Sequence, residues 1–122
     1  MIILTMKMNV RPEKRDELLQ TIFALIPPTR KEKGCLSYHA FLSIEDENEI
    51  NLVEEWESQE DLNNHFLSDR FSALIGAQSL LNKPLGIRII TASSTAGMED
   101  VEAARGRQTR TSPDLAESRC AC

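Results

Sequence analysis

The fold is decided by residues 51–71, NLVEEWESQEDLNNHFLSDRF, which predict a strand that leads directly into a helix. Side chains of a strand point alternately to its two faces. One face of this strand carries three large apolar residues and one acid, which are Ile50, Leu52, Glu54 and Trp56. The alternation therefore predicts a half-buried strand that ends with the only Trp of the chain on its inward face.

The helix after this strand brings a histidine toward the tryptophan. Ser58 is a predicted N-cap, and two acids follow in the first turn, where the helix dipole favours them. Leu62, His65 and Phe66 share one helix face because they are three and four residues apart. An imidazole beside large aromatic rings suits the lining of a small-molecule pocket. The alternatives are core packing for Trp56 and a purely structural hydrogen bond for His65.

Alternation and chain-breaking residues extend the prediction over the rest of the domain. Strands are predicted at 2–10, 35–44, 49–57 and 84–91. A first helix opens at Pro12 and must end, kink or restart at Pro27-Pro28, and the second helical region runs over 58–67 and continues over 68–81. The order βαββαβ predicts an α+β, ferredoxin-like sandwich with an antiparallel sheet. Helices cover one sheet face, and the apolar area left on the other favours pairing with a second copy.

The faces of the remaining strands locate further candidate residues. Strict alternation over the second strand puts Leu36 and Tyr38 on one face and Cys35 on the other. Asn9 and Arg88 lie on the mixed faces of the first and fourth strands, where they address the side of the sheet opposite to Trp56 unless twist or a partner brings the two sides together.

Composition limits the classes of function. The chain has 122 residues and a formal net charge of −5, which disfavours a nucleic-acid-binding surface. Neither a membrane span nor a signal peptide is recognisable, so we predict a cytoplasmic protein with no membrane partner. The three cysteines lack the spacing of a zinc site and are interpreted as free thiols; they are Cys35, Cys120 and Cys122. No metal site is predicted.

Residues 93–122 differ in character from the domain over residues 1–92. They are rich in Ser, Thr, Ala and Arg and contain few large apolar side chains. Residues 98–105 favour one short helix, and the remainder reads as a polar tail that is flexible or loosely docked.

Three segments carry a family resemblance. They are Gly34-Cys35-Leu36-Ser37-Tyr38, then Glu55-Trp56-Glu57-Ser58 with Asp61-Leu62, and then His65 and Phe71. Together they resemble the antibiotic biosynthesis monooxygenase family, over roughly residues 1 to 92. The resemblance implies a homodimer in which two sheets pair into a dimeric α+β barrel. It also implies oxidation of a small aromatic quinol or anthrone by O2 without a metal or organic cofactor.

Within that scheme, His65 is the predicted catalytic base or hydrogen-bond partner of the substrate oxygen, because its ordinary pKa lies near neutrality. The predicted substrate-binding residues are Trp56, Tyr38, Phe66, Phe71, Asn9 and Arg88. Haem degradation by the same superfamily is disfavoured, because the helix that begins near Phe71 has no histidine to serve as the axial ligand. A non-catalytic dimeric ligand-binding or regulatory module, or an isomerase of the same fold, remains the alternative.

Overall fold

The structure, a computed structural model, describes residues 1–109. The whole chain divides into two units, Met1–Ala92 and Ser93–Cys122. The first unit contains four strands, three α-helices and two 3-10 turns. In chain order these are β1 (Ile2–Asn9), a 3-10 turn (Pro12–Lys14), α1 (Arg15–Arg30), β2 (Cys35–Leu42), β3 (Glu49–Trp56), α2 (Gln59–Phe66), α3 (Asp69–Gly76), a second 3-10 turn (Ala77–Leu80) and β4 (Gly86–Thr91).

The four strands form one antiparallel sheet in the order β2-β3-β1-β4. The first strand lies in the interior of the sheet, paired with β3 and β4, so that Trp56 at the end of β3 is opposite Ile2. This order and the helices that link the strands confirm the predicted ferredoxin-like α+β fold.

The core lies between the helices and one face of the sheet. Every second residue of β1 and β3 is buried, as alternation predicts. The largest fully buried side chains from these strands and their neighbours include Trp56, Tyr38, Leu4, Met6, Leu18 and Leu62. One charged residue, Glu54, is buried among them with no exposed surface. This buried acid is the starting point for the candidate site.

The second strand departs from strict alternation. A β-bulge shifts the register between Cys35 and Ser37, so Cys35 is opposite Trp56 and Tyr38 is opposite Glu54. Both Cys35 and Tyr38 therefore face the core, while Leu36 is 56% exposed. The prediction that Leu36 shares a face with Tyr38 was wrong, because the extra residue of the bulge interrupts the alternation of side chains between Cys35 and Ser37.

The first helix continues through its two prolines. Pro27 and Pro28 lie inside α1, which ends only at Arg30. A proline removes the hydrogen bond to the carbonyl four residues earlier, here those of Phe23 and Ala24. Both of these residues lie on the exposed side of the helix. The helix therefore neither ends nor restarts at Pro27-Pro28.

The second unit contains α4, which spans Met98–Thr109 and is longer than the predicted 98–105 helix. Its first turn carries Glu99 and Asp100, where acids complement the helix dipole. The prediction of a flexible or loosely docked tail falls in part on residues 110–122, including Cys120 and Cys122, which lie outside the described residues.

Candidate active site

The centre of the site is a stack of the rings of Trp56 and His65. Trp56 is the last residue of β3 and His65 lies in the last turn of α2. Their ring centroids are 4.6 Å apart and their planes differ by 28°, which is a stacked arrangement. Both residues are almost completely buried, with exposures of 0% and 2%. The strand-to-helix stretch therefore brings together the two residues that its sequence predicts.

The start of α2 is fixed by two local interactions. Ser58 accepts a hydrogen bond from the backbone N–H of Asp61, which confirms it as the N-cap. Gly34 has a φ of +82°, and its carbonyl accepts a 2.8 Å hydrogen bond from the N–H of Glu57. A Cβ on Gly34 would lie 2.5 Å from the Cβ of Asp61. The glycine thus allows the loop after α1 to pack directly against the first turn of α2.

Two phenylalanines complete an aromatic cluster around His65. The Phe71 ring meets the imidazole edge-on at 5.4 Å, and the Phe66 ring lies 6.3 Å from it. The two phenyl rings are 4.8 Å apart. Phe71 is positioned by α3, whose N-cap Ser68 accepts a hydrogen bond from the N–H of Phe71. Trp56, Phe66 and Phe71 therefore surround one imidazole.

Glu32, in the loop after α1, determines the state of the imidazole. Its Oε2 lies 2.8 Å from Nδ1 of His65 and 2.9 Å from Nε of Arg70. Burial, with a smaller contribution from the charge of Arg70, lowers the pKa of His65 against the opposing effect of Glu32, so the ring is neutral near pH 7. Because a carboxylate paired with arginine is an acceptor, we assign the imidazole proton to Nδ1. Nε2 is then the basic nitrogen.

Glu54 faces that basic nitrogen from inside the core. Its Oε1 lies 3.5 Å from Nε2 of His65 and accepts a 2.9 Å hydrogen bond from Nε1–H of Trp56. No donor among residues 1–109 bonds to its other oxygen, Oε2. Burial raises the pKa of Glu54 to about 7, with an opposing effect from the Trp56 hydrogen bond and a further increase from Glu32. A buried acid that titrates near neutrality is typical of a functional site.

Tyr38 packs beside Glu54 from the neighbouring strand. It is opposite Glu54 in the β2–β3 pairing and is 2% exposed. Burial and, to a smaller extent, Glu54 raise the pKa of the phenol above its ordinary value. Arg30 fixes this part of β2 by donating from Nε and Nη2 to the carbonyl of Tyr38, at 3.0 and 2.8 Å. Tyr38 is therefore a neutral wall of the cluster at physiological pH.

Asn9 and Arg88 are not brought to this cluster. In the sheet register they are on the face away from Trp56 and His65. Asn9 donates to Oδ2 of Asp46 at 3.2 Å and borders a polar cavity of about 260 Å³. Arg88 is exposed and borders a separate, open depression with Thr5. The structure thus assigns the two residues to the opposite side of the sheet, as strand alternation indicates.

Within residues 1–109 no three His, Cys, Asp or Glu side chains are arranged to hold a metal ion. Over the same part of the chain, every helix is too short or too polar to cross a membrane.

Comparisons with known proteins find one matching family and several similar sequences. A family model described as antibiotic biosynthesis monooxygenase matches residues 1–77. YcnE of Bacillus subtilis, which is named as a candidate monooxygenase, is 30% identical over 88 residues, or 71% of this chain and 93% of YcnE. The uncharacterised protein sll1783 of Synechocystis is 28% identical over 95 residues, or 77% of this chain. The match spans 65% of sll1783, which is less than two thirds of its length.

Similar folds are found among solved structures. A conserved protein of Methanosarcina mazei Go1 superimposes with a TM-score of 0.71 at 31% identity, covering 75% of this chain and 92% of that one. Rv0793 of Mycobacterium tuberculosis superimposes with a TM-score of 0.73 at 27% identity, covering 79% of this chain and 98% of Rv0793.

Proposed function

The chain belongs to the antibiotic biosynthesis monooxygenase family, and from that premise we propose that it oxidises a small aromatic quinol or anthrone with O2, without a metal or organic cofactor. The observation that carries the proposal is that His65 is buried in an aromatic cluster with Nδ1 2.8 Å from Oε2 of Glu32. This is the arrangement of a general base held in one tautomer by a carboxylate.

The proposed reaction needs no external reductant. A hydroquinone and O2 give a hydroxyquinone and water, and an anthrone and O2 give an anthraquinone and water. In both cases the substrate supplies all the electrons, one oxygen atom enters the product and the other leaves as water. Loss of a proton from the substrate produces an electron-rich anion that can pass an electron to O2. Proton removal is therefore the step that the protein must assist.

The residues of the cluster suit that step. Trp56, Phe66 and Phe71 provide flat apolar surfaces for a planar ring, and Tyr38 adds a neutral wall. Burial of the site strengthens the interaction between His65 and a developing phenolate. Asn9 and Arg88 take no part in this proposal because they lie on the other side of the sheet.

We further propose a homodimer that pairs through the sheet face opposite the helices. On this face Ile3, Val53 and Ile90 are partly exposed apolar residues on three adjacent strands. Sedimentation equilibrium should give twice the mass of the chain. A charged substitution at the middle of the face, Val53→Asp, should shift the protein toward monomer, and a monomer in the parent protein would contradict the proposal.

The experiment for the proposed activity is oxygen uptake by the metal-free protein with a panel of reduced quinols and anthrones. We expect uptake above the uncatalysed rate, and a loss of about 100-fold or more in His65→Gln, which is typical for removal of a general base. His39→Gln is the matched control, because His39 is the other histidine of the chain and is exposed on β2. A folded protein without uptake for every substrate would favour the isomerase or ligand-binding alternatives.

A further inference from the structure

Four charged or titratable side chains form a continuous line from the core to the surface. Their contacts are 3.5 Å from Glu54 to His65, 2.8 Å from His65 to Glu32 and 2.9 Å from Glu32 to Arg70. The exposed fraction of the side chain increases along the line, from 0% and 3% to 12% and 35%. A graded series of proton-binding groups is a route by which a proton can leave a buried site.

We propose that Glu54 is the catalytic residue that takes the proton of the substrate, and that His65 and Glu32 transfer this proton to the surface. This inference rests on the proposed function, and it refines the role of His65. The histidine becomes the second group of a relay instead of the group that touches the substrate.

One oxygen of the buried Glu54 carboxyl has no hydrogen-bond donor among the described residues. Oε1 already accepts the hydrogen bond of Trp56, whereas Oε2 is buried and meets no donor among residues 1–109. An unpaired buried carboxylate oxygen is costly, so its retention in a folded protein calls for a reason. A phenolic O–H of a ring stacked near Trp56 is the donor that Oε2 lacks. Burial also gives Glu54 a pKa of about 7, which is suited to a base at neutral pH.

The proton transfers balance without any change of oxidation state. The substrate O–H bond breaks, its electron pair stays on the substrate oxygen, and the proton binds Oε2 of Glu54. A half-turn of the carboxyl group then presents the O–H to Nε2 of His65, which accepts the proton. The imidazolium releases its Nδ1 proton to Glu32, and Glu32 releases it to solvent beside Arg70. Oxidation of the substrate anion by O2 follows as described for the proposed function.

Other groups that face this pair are neutral or remain charged around pH 7. From β2, burial raises the pKa of Cys35 to about 11 and the pKa of Tyr38 also lies above its ordinary value. From α3, Arg70 stays protonated because Glu32 raises its pKa. A titration near pH 7 in the core therefore reports on Glu54.

The test compares Glu54→Gln with Glu54→Asp and with Glu55→Gln. Glutamine keeps an oxygen that can accept from Trp56 but cannot take the proton. We expect oxygen uptake at pH 7 to fall about 100-fold or more in Glu54→Gln, and the acid limb of the pH–rate profile near pH 7 to disappear. Glu54→Asp should recover part of the rate and keep an acid limb. Glu55 is the control because it lies on the opposite face and bonds Ser37 at 2.6 Å.

The inference would be overturned if Glu54→Gln kept the acid limb of the pH–rate profile and a rate within about threefold of the parent. If Glu54→Gln does not fold, Glu54→Asp decides: a displaced acid limb supports the relay, and an unchanged limb overturns it. A parent protein without oxygen uptake would refute the proposed function, and infrared spectroscopy would then test Glu54 alone. A protonated carboxyl band at pH 5 that titrates near pH 7 and is absent from Glu54→Gln supports the proton-binding role of Glu54. Its absence from the parent overturns it.

Discussion

The buried carboxyl of Glu54 predicts an unusual pH dependence of stability. Burial raises its pKa from 4.5 to about 7 in the folded protein, while the unfolded chain keeps the ordinary value. The folded state therefore holds this proton more tightly, and unfolding releases it between these two pH values. The contribution of Glu54 to the free energy of unfolding falls as the pH rises through this window and is constant above about pH 7.

The size of the effect follows from the pKa difference. Each unit is equivalent to about 1.4 kcal/mol, so the loss between pH 5 and pH 8 is about 2.5 kcal/mol for a group with no exposed surface. Glutamine at this position does not titrate. The free energy of unfolding of Glu54→Gln, relative to the parent, should therefore increase by about 2.5 kcal/mol from pH 5 to pH 8.

The difference in free energy of unfolding between the parent and Glu54→Gln separates the pH-dependent contribution of Glu54 from that of His65. Burial lowers the pKa of His65, so its contribution to stability falls as the pH drops below its unfolded value of 6.5, in the opposite direction to Glu54. Both proteins contain His65, so its effect largely cancels. Urea unfolding followed by fluorescence of Trp56, the only Trp, gives both free energies. A difference that is the same at pH 5 and pH 8 would refute the raised pKa of Glu54.

Two further predictions concern the loop and the cap that position α2. Gly34→Ala should destabilise the protein by about 2–4 kcal/mol in urea unfolding, because the alanine would combine a positive φ with a collision against Asp61. Gly76→Ala is the control, since nothing lies within 4 Å of the added Cβ, and it should be neutral or slightly stabilising. Equal effects of the two substitutions would contradict this prediction. Ser58→Ala should cost about 1 kcal/mol through loss of the N-cap, and an unchanged urea midpoint would show that the cap is dispensable.

The sequence pattern was sufficient to predict the strands of the sheet and the Trp56–His65 pair of the site. Period two along β1 and β3 predicted the buried faces, and the cap at Ser58 with helical spacing predicted the approach of His65 to Trp56. The ferredoxin-like order followed from these elements. Alternation failed at Leu36 because a β-bulge depends on pairing with β3, and no local pattern encodes that extra residue.

The two carboxylates of the site differ in how far the sequence could reveal them. Glu54 had a signal, since it stands between Leu52 and Trp56 on the inward face of a strand, where an acid is costly unless it has a role. Glu32 had none, because it reaches His65 only through the path of the loop before Gly34 and is 33 residues away in sequence. Long-range pairing of polar side chains depends on the tertiary fold and is invisible to periodicity.

The measurement that tests the central claim most directly is isotope labelling with ¹⁸O2, using the metal-free protein and the hydroquinone that gives the fastest uptake. A monooxygenase without external reductant predicts one labelled oxygen atom in each hydroxyquinone and one in water, with His65→Gln forming labelled product far more slowly. An unlabelled quinone formed together with labelled hydrogen peroxide would show an oxidase, and would contradict the proposed reaction.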